Sequence, residues 1–179
     1  MKIPQNLLEH FKNKIALLLV SGEFECKFFV IKNGEIAEQT ALILNPREQA
    51  KEKQGYIHKA SGANDLGAVS HHGAYILELK NKFYKELGEK VENLIQNEKI
   101  DELHIFIPKY AKNKIVEKFP KSALNKICDI YLGEFTKKSP IKILDIITEK
   151  IQEARSTKHI HYSLQEKNIL HRPKTRPTK

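Results

Sequence analysis

Apolar residues fall into short continuous runs in the first quarter of the chain and into a three-to-four-residue rhythm further on. These two patterns call for different elements. Leu7, Leu8 and Phe11 follow Pro4 at helical spacing and predict a short amphipathic helix within residues 1–13. IALLLV (15–20), ECKFFVIKNG (25–34) and EIAEQTALIL (35–44) read as three consecutive strands, and Asn33-Gly34 between two of the runs is a two-residue hairpin signal. From Asn45 to His72 the periodicity vanishes, which predicts a long loop of the kind usually kept for function.

Ile76, Leu79, Phe83, Leu87, Val91, Leu94 and Ile95 then recur at helical steps and predict a long amphipathic helix. ELHIFIP (102–108) is a strand stopped by Pro108, KYAKNKIVEKF (109–119) a helix stopped by Pro120, SALNKI (122–127) a brief helix and CDIYLGEF (128–135) another strand. Ser139 and Pro140 suit the N-cap and first position of a last helix reaching Ala154. A meander followed by alternating helices and strands implies an α/β fold. Its sheet is mixed and five-stranded, flanked by helices, in a ribonuclease-H-like order. The expected organisation is an N-terminal helix in 1–13, an α/β domain over 14–154 with the loop 45–72, and a tail over 155–179.

Charge changes this picture mainly at the tail. The chain of 179 residues has 31 basic and 22 acidic residues, a formal net charge of +9. Residues 155–179 hold seven of the basic residues (Arg155, Lys158, Lys167, Arg172, Lys174, Arg176 and Lys179) against Glu166, a net +6. Pro173 and Pro177 forbid a continuous helix there, so an extended basic tail is expected. Cys26 and Cys128 lie singly in apolar runs, no stretch is apolar enough to span a bilayer, and no secretory segment is evident. A reduced, cytoplasmic protein without a membrane partner is the expectation.

Candidate chemistry is sparse, and neither a cofactor nor a metal is expected. A two-metal nuclease needs carboxylates on the first strand, which has none, while Glu23, Glu25 and Asp129 are scattered. His71-His72 and His159-x-His161 lack further ligands at zinc spacing, and His104 between Leu103 and Ile105 reads as a sheet-face histidine. No nucleophile elbow, Walker loop or dinucleotide fingerprint is present, so nothing marks an enzyme. What remains is a basic, polar set: Lys51, Lys53, Gln54, Gly55 and Lys59 in the loop, His71 and His72 at the helix start, and Lys80, Lys82 and Lys85 on the helix. A loop folded toward that helix face would suit RNA phosphates and exposed bases, whereas for the lysines alone a solvated face is the plainer reading.

Several stretches together resemble the bacterial relatives of the archaeo-eukaryotic peptide-chain release factor, a group that includes proteins labelled as required for attachment to host cells. These are KIALLLVSGEFECKFFVIKNGEIAE, the loop ending at His72, HHGAYILELKNKFYKELGEKVENLI, LHIFIPKYAKNKIVEKF and YLGEFTKKSPIKILDII. The resemblance implies the release factor's middle domain, whose loop after the third strand carries Gly-Gly-Gln to the peptidyl-transferase centre. Here that loop reads Lys51-Glu52-Lys53-Gln54-Gly55-Tyr56, so the two glycines before the glutamine are missing. The backbone freedom they confer is lost, which weighs against hydrolysis by this loop. The implied partner is the ribosome, tRNA or rRNA, in rescue or hibernation. The alternatives are a peptidyl-tRNA or other ester hydrolase using Gln54, and a host-attachment surface protein.

Overall fold

The computed structural model describes residues 1–45 and 68–154, with backbone alone for 68–73. Its elements are α1 (Gln5–Leu8), β1 (Ala16–Ser21), β2 (Glu25–Lys32), β3 (Glu35–Ile43), α2 (Ala68–Glu98) and β4 (Glu102–Ile107), followed by a 3-10 turn (Lys109–Ala111), α3 (Lys112–Val116), α4 (Lys121–Leu124) and β5 (Ile127–Leu132). Two compact units are distinguished, Met1–Lys138 and a second that begins at Ser139. The described part of the second holds one helix, α5, over 140–154.

The sheet has the order β3-β2-β1-β4-β5. β1, β2 and β3 pair antiparallel, whereas β4 lies parallel to both β1 and β5. This is the mixed five-stranded α/β sheet implied by the sequence. β1 is central and buried at all six positions, and a strand covered on both faces reads as the unbroken apolar run IALLLV rather than as an alternation. β3 lies at an edge and is mostly exposed or half-buried, with Ile36 its one buried position. Residues 33 and 34 make the β2–β3 turn with φ of 54° and 78°, both left-handed, as a two-residue hairpin between twisted strands requires. The start of the chain covers the beginning of the β3 edge: Lys2 bridges Glu35, and the Ile36 N–H donates to the Met1 carbonyl at 2.7 Å.

One sheet face and α2 share a single core. Leu17, Leu19, Phe28, Val30, Leu103, Ile105 and Ile107 meet Leu79, Phe83, Leu87, Val91 and Ile95, joined by Ala111, Ile115, Phe119 and Ala123. The turn after α3 approaches α2 closely because position 88 has no side chain: a Cβ there would lie 2.4 Å from the Lys118 carbonyl oxygen. The opposite face buries Ala16, Leu18, Val20, Phe29, Ile31 and Phe106, and Phe11 of the N-terminal segment lies edge-on to His104 at 6.0 Å.

Three boundaries differ from expectation. The N-terminal helix is α-helical only over Gln5–Leu8 and continues as turns to Asn13, whose φ is 66°. So short a helix has little stability of its own, and tertiary contacts set its ends. α2 starts at Ala68, so 68–72 belong to helix rather than loop. AVSHHG offers neither apolar rhythm nor an N-cap signal, and Gly73 weakens the pattern. The helix expected over 109–119 is divided into the 3-10 turn and α3. In the second unit the Ser139–Pro140 start is as expected: the Lys142 N–H points to the Ser139 Oγ at 3.5 Å and the Ile143 N–H donates to the Ser139 carbonyl at 3.2 Å.

Candidate functional site

β1, β4 and β5 all point their carboxyl ends to one edge of the sheet, where open α/β folds place their ligands. A cleft of about 520 Å³ lies there, lined by Gly22, Glu23, Phe24, Glu25, Ile43, Leu44, Asn45, Tyr110, Glu134 and Thr136. Local hydrogen bonds set its walls. The Gly22 N–H donates to the Glu25 carbonyl at 2.7 Å, Leu44 to Phe24 at 2.8 Å and Gly133 to Ile107 at 3.0 Å. The 22 residues 46–67 connect this rim, at Asn45, to the start of α2.

The rim is acidic, and its lysines are engaged. Lys80 Nζ lies 2.5 Å from Glu23 and over the Phe24 ring at 5.9 Å. The Glu23 carboxylate raises the ammonium's pKa, fixing its charge. Lys27 pairs with Glu25 at 3.3 Å and donates to the Thr136 carbonyl at 3.0 Å. Burial, reinforced by Glu134, pushes the Tyr110 phenol up. Phosphates would find no surplus positive charge on these walls. The cleft suits an uncharged or cationic group, with Phe24 and Tyr110 as apolar contacts.

Of the residues singled out from sequence, Lys51, Lys53, Gln54, Gly55 and Lys59 lie outside the described residues, as do Arg155, Lys158, Lys167, Arg172, Lys174, Arg176 and Lys179. His71 and His72 lie within the first turns of α2, not ahead of it, and their side chains are outside the description. Lys80 is brought to the cleft, held by Glu23. Lys82 and Lys85 face Glu86 and Glu89 one turn on, at 3.8 Å each, and Lys90 sits over the Phe28 ring at 5.7 Å. The described lysines of α2 therefore form a locally balanced face.

Sequence reasoning missed a second cluster, on the face away from α2. Among the described residues Ser21 and His104 are the buried polar side chains. Ser21 Oγ donates to the Gly22 carbonyl at 3.2 Å, whereas neither ring nitrogen of His104 has a hydrogen-bond partner among the described residues. His104 is 3% exposed. It lies on a sheet face, as expected, but without a hydrogen-bond partner among the described residues, and each buried unpaired group costs about 1–3 kcal/mol. Its Nε2 lies 3.9 Å from Glu102 Oε2, beyond hydrogen-bond reach, and His10 Nε2 lies 3.5 Å from the same oxygen. Glu102 Oε1 accepts from Lys14 Nζ. The His104 imidazole foremost, then Lys14, hold the Glu102 carboxyl down at about 2 despite its partial burial. Positions 10, 102 and 104 share no ligand spacing, so only β4 and the N-terminal turns bring them together.

Among solved structures the chain is similar to an archaeal translation termination factor, aRF1, at 15% identity and a TM-score of 0.49, over 88% of this chain and 41% of that one. It is also similar to a further archaeal protein at 13% identity and a TM-score of 0.42, over 91% and 45% of the two chains. The chain thus spans less than half the length of either structure. No protein-family model and no curated protein matches it.

Proposed function

We propose that this protein is an RNA-binding module of the translation apparatus, built like a release factor's middle domain, that engages the ribosome or tRNA through residues 46–67 and 155–179. The observation that carries the reading is the division of charge. The lysines at the cleft and along α2 have acidic or aromatic partners, and the described residues sum to +2, while residues 155–179 alone carry +6. A folded body close to neutrality with its positive charge in one sequence segment suits a polyanion met along that segment.

The position of residues 46–67 in the sequence supports the same reading. They follow β3 in the chain, Asn45 just before them lines the cleft, and the family resemblance assigns the segment after the third strand to the loop that enters the peptidyl-transferase centre. Lys51, Lys53 and Lys59 would meet phosphates there, and Gln54 and Tyr56 bases or sugar edges. In this reading the segment recognises RNA rather than cleaving an ester, since the glycines before Gln54 are missing.

Pelleting purified protein with ribosomes at low and high salt tests the proposal. If the seven basic residues of 155–179 each neutralise a phosphate, affinity falls by roughly a thousandfold between ~50 and ~200 mM salt, and deleting 155–179 removes most of that dependence. A protein that stays off ribosomes and RNA even at low salt ends the proposal.

A further inference from the structure

We infer that His10, Glu102 and His104 form a site for one divalent cation of zinc's ligand preference, which ties the N-terminal segment to β4. The ligand atoms of the three residues all lie within 4.8 Å of one another. Two imidazoles and a carboxylate are an established donor set for zinc, with a fourth position left for water. Metal–ligand bonds of about 2.0–2.2 Å at tetrahedral angles put neighbouring donor atoms roughly 3.3–3.5 Å apart. The His10 Nε2 to Glu102 Oε2 separation is 3.5 Å and that from His104 Nε2 is 3.9 Å. Small rotations of the side chains therefore close the site around an ion.

The second observation is independent of this clustering. His104 is only 3% exposed, and its Nε2 faces Glu102 Oε2 with neither atom hydrogen-bonded among the described residues. Buried polar atoms are nearly always satisfied, and a cation between these two atoms would satisfy both, leaving His104 Nδ1 as the unpaired atom of this cluster. The surroundings hold the donors in position. Lys14 engages the other carboxylate oxygen, Oε1, and so leaves Oε2 toward the histidines. The buried Phe11 ring packs against His10 at 4.7 Å and His104 at 6.0 Å, fixing the turn that brings His10 over the sheet. His10 keeps 26% of its side chain exposed, which gives the ion an entry path and its fourth ligand a place. Imidazole donors disfavour magnesium and calcium, which take oxygen.

The role that follows is structural. Residues 1–13 are joined to the sheet at the start of β3, through the Lys2–Glu35 bridge, and an ion at His10 would add an attachment some hundred positions away in sequence, on β4. Zinc would then protect the N-terminal segment from fraying, and this holds whether or not the protein binds RNA.

The test uses the full chain, stripped with chelator and titrated with zinc against a chromophoric competitor, with magnesium as a control. One zinc per chain is expected at this site, with no response to magnesium. His10→Ala and Glu102→Gln should each weaken it at least tenfold, while the tail variant His159→Ala/His161→Ala keeps it. Cobalt(II) should show the visible bands of a tetrahedral ion, lost in His10→Ala. In the unsubstituted protein, zinc should move the ring NMR signals of His10 and His104, a readout that needs no variant to fold. The inference is overturned if the wild-type protein takes up no zinc, if uptake survives both His10→Ala and Glu102→Gln, or if only the tail variant abolishes it.

Discussion

The two faces of the sheet are equally dry but differently made. Toward α2, apolar strand residues from Leu17 and Leu19 to Ile105 and Ile107 meet apolar partners, and the buried Ser21 hydroxyl at the end of β1 is hydrogen-bonded. On the other face the same strands bury Leu18, Val20, Phe29 and Phe106, yet β4 also sets Glu102 and His104 there, under His10. The first face is explained by burial alone. The second carries polar atoms that burial penalises, and the unpaired ring nitrogens of His104 beside Glu102 mark it as a place where the fold does more than hold together.

The largest effect expected tests whether both faces are core. Phe83→Ala on α2 and Phe106→Ala on β4 remove fully buried rings, the second stacked on Tyr131 at 4.3 Å, and each should destabilise by about 3–5 kcal/mol in urea unfolding. A Phe106→Ala variant that loses less than about 1 kcal/mol would break the equivalence. Next is the polar cluster. At a zinc concentration a hundred times its Kd the wild-type protein should gain about 2.7 kcal/mol, seen as a rise in Tm, and His104→Leu should gain nothing. With chelator present, His104→Leu should be as stable as the wild type or slightly more so, since an apolar group replaces an unsatisfied one. Equal responses of the two proteins to zinc would make His104 mere packing.

Smaller effects sharpen the α2 side. Gly88→Ala places a methyl group against the Lys118 carbonyl, and a cost of about 1–3 kcal/mol should outweigh the better helix propensity of alanine. A stabilised variant would mean that the turn after α3 yields freely. Least of all, Lys82→Ala breaks an exposed pair with Glu86 on the outward side of α2 and should change stability by less than about 0.5 kcal/mol, measured in the same denaturant series.

Legibility followed from how local each signal was. The hairpin could be read at Asn33-Gly34 because a two-residue turn needs left-handed backbone at adjacent positions and few residues supply it. The body of α2 could be read from Leu79, Phe83, Leu87, Val91 and Ile95, which repeat every four residues on one side. Its start at Ala68 could not, since 68–73 carry no such repeat. The lysines along α2 are visible as charge in the sequence, but Glu23, which neutralises Lys80, comes from the turn after β1, and pairing across elements leaves no periodic trace.

By itself the sequence determined the succession of elements and the basic character of 155–179, because hydrophobic period, turn residues and charge count are properties of neighbouring residues. Only the tertiary structure decided that β4 lies beside β1, that Lys80 and Lys27 face acids at the cleft, and that His10 meets Glu102 and His104. A sheet joins strands by backbone hydrogen bonds that any sequence can make, and the side chains it juxtaposes are then fixed by register, which no short window of sequence contains.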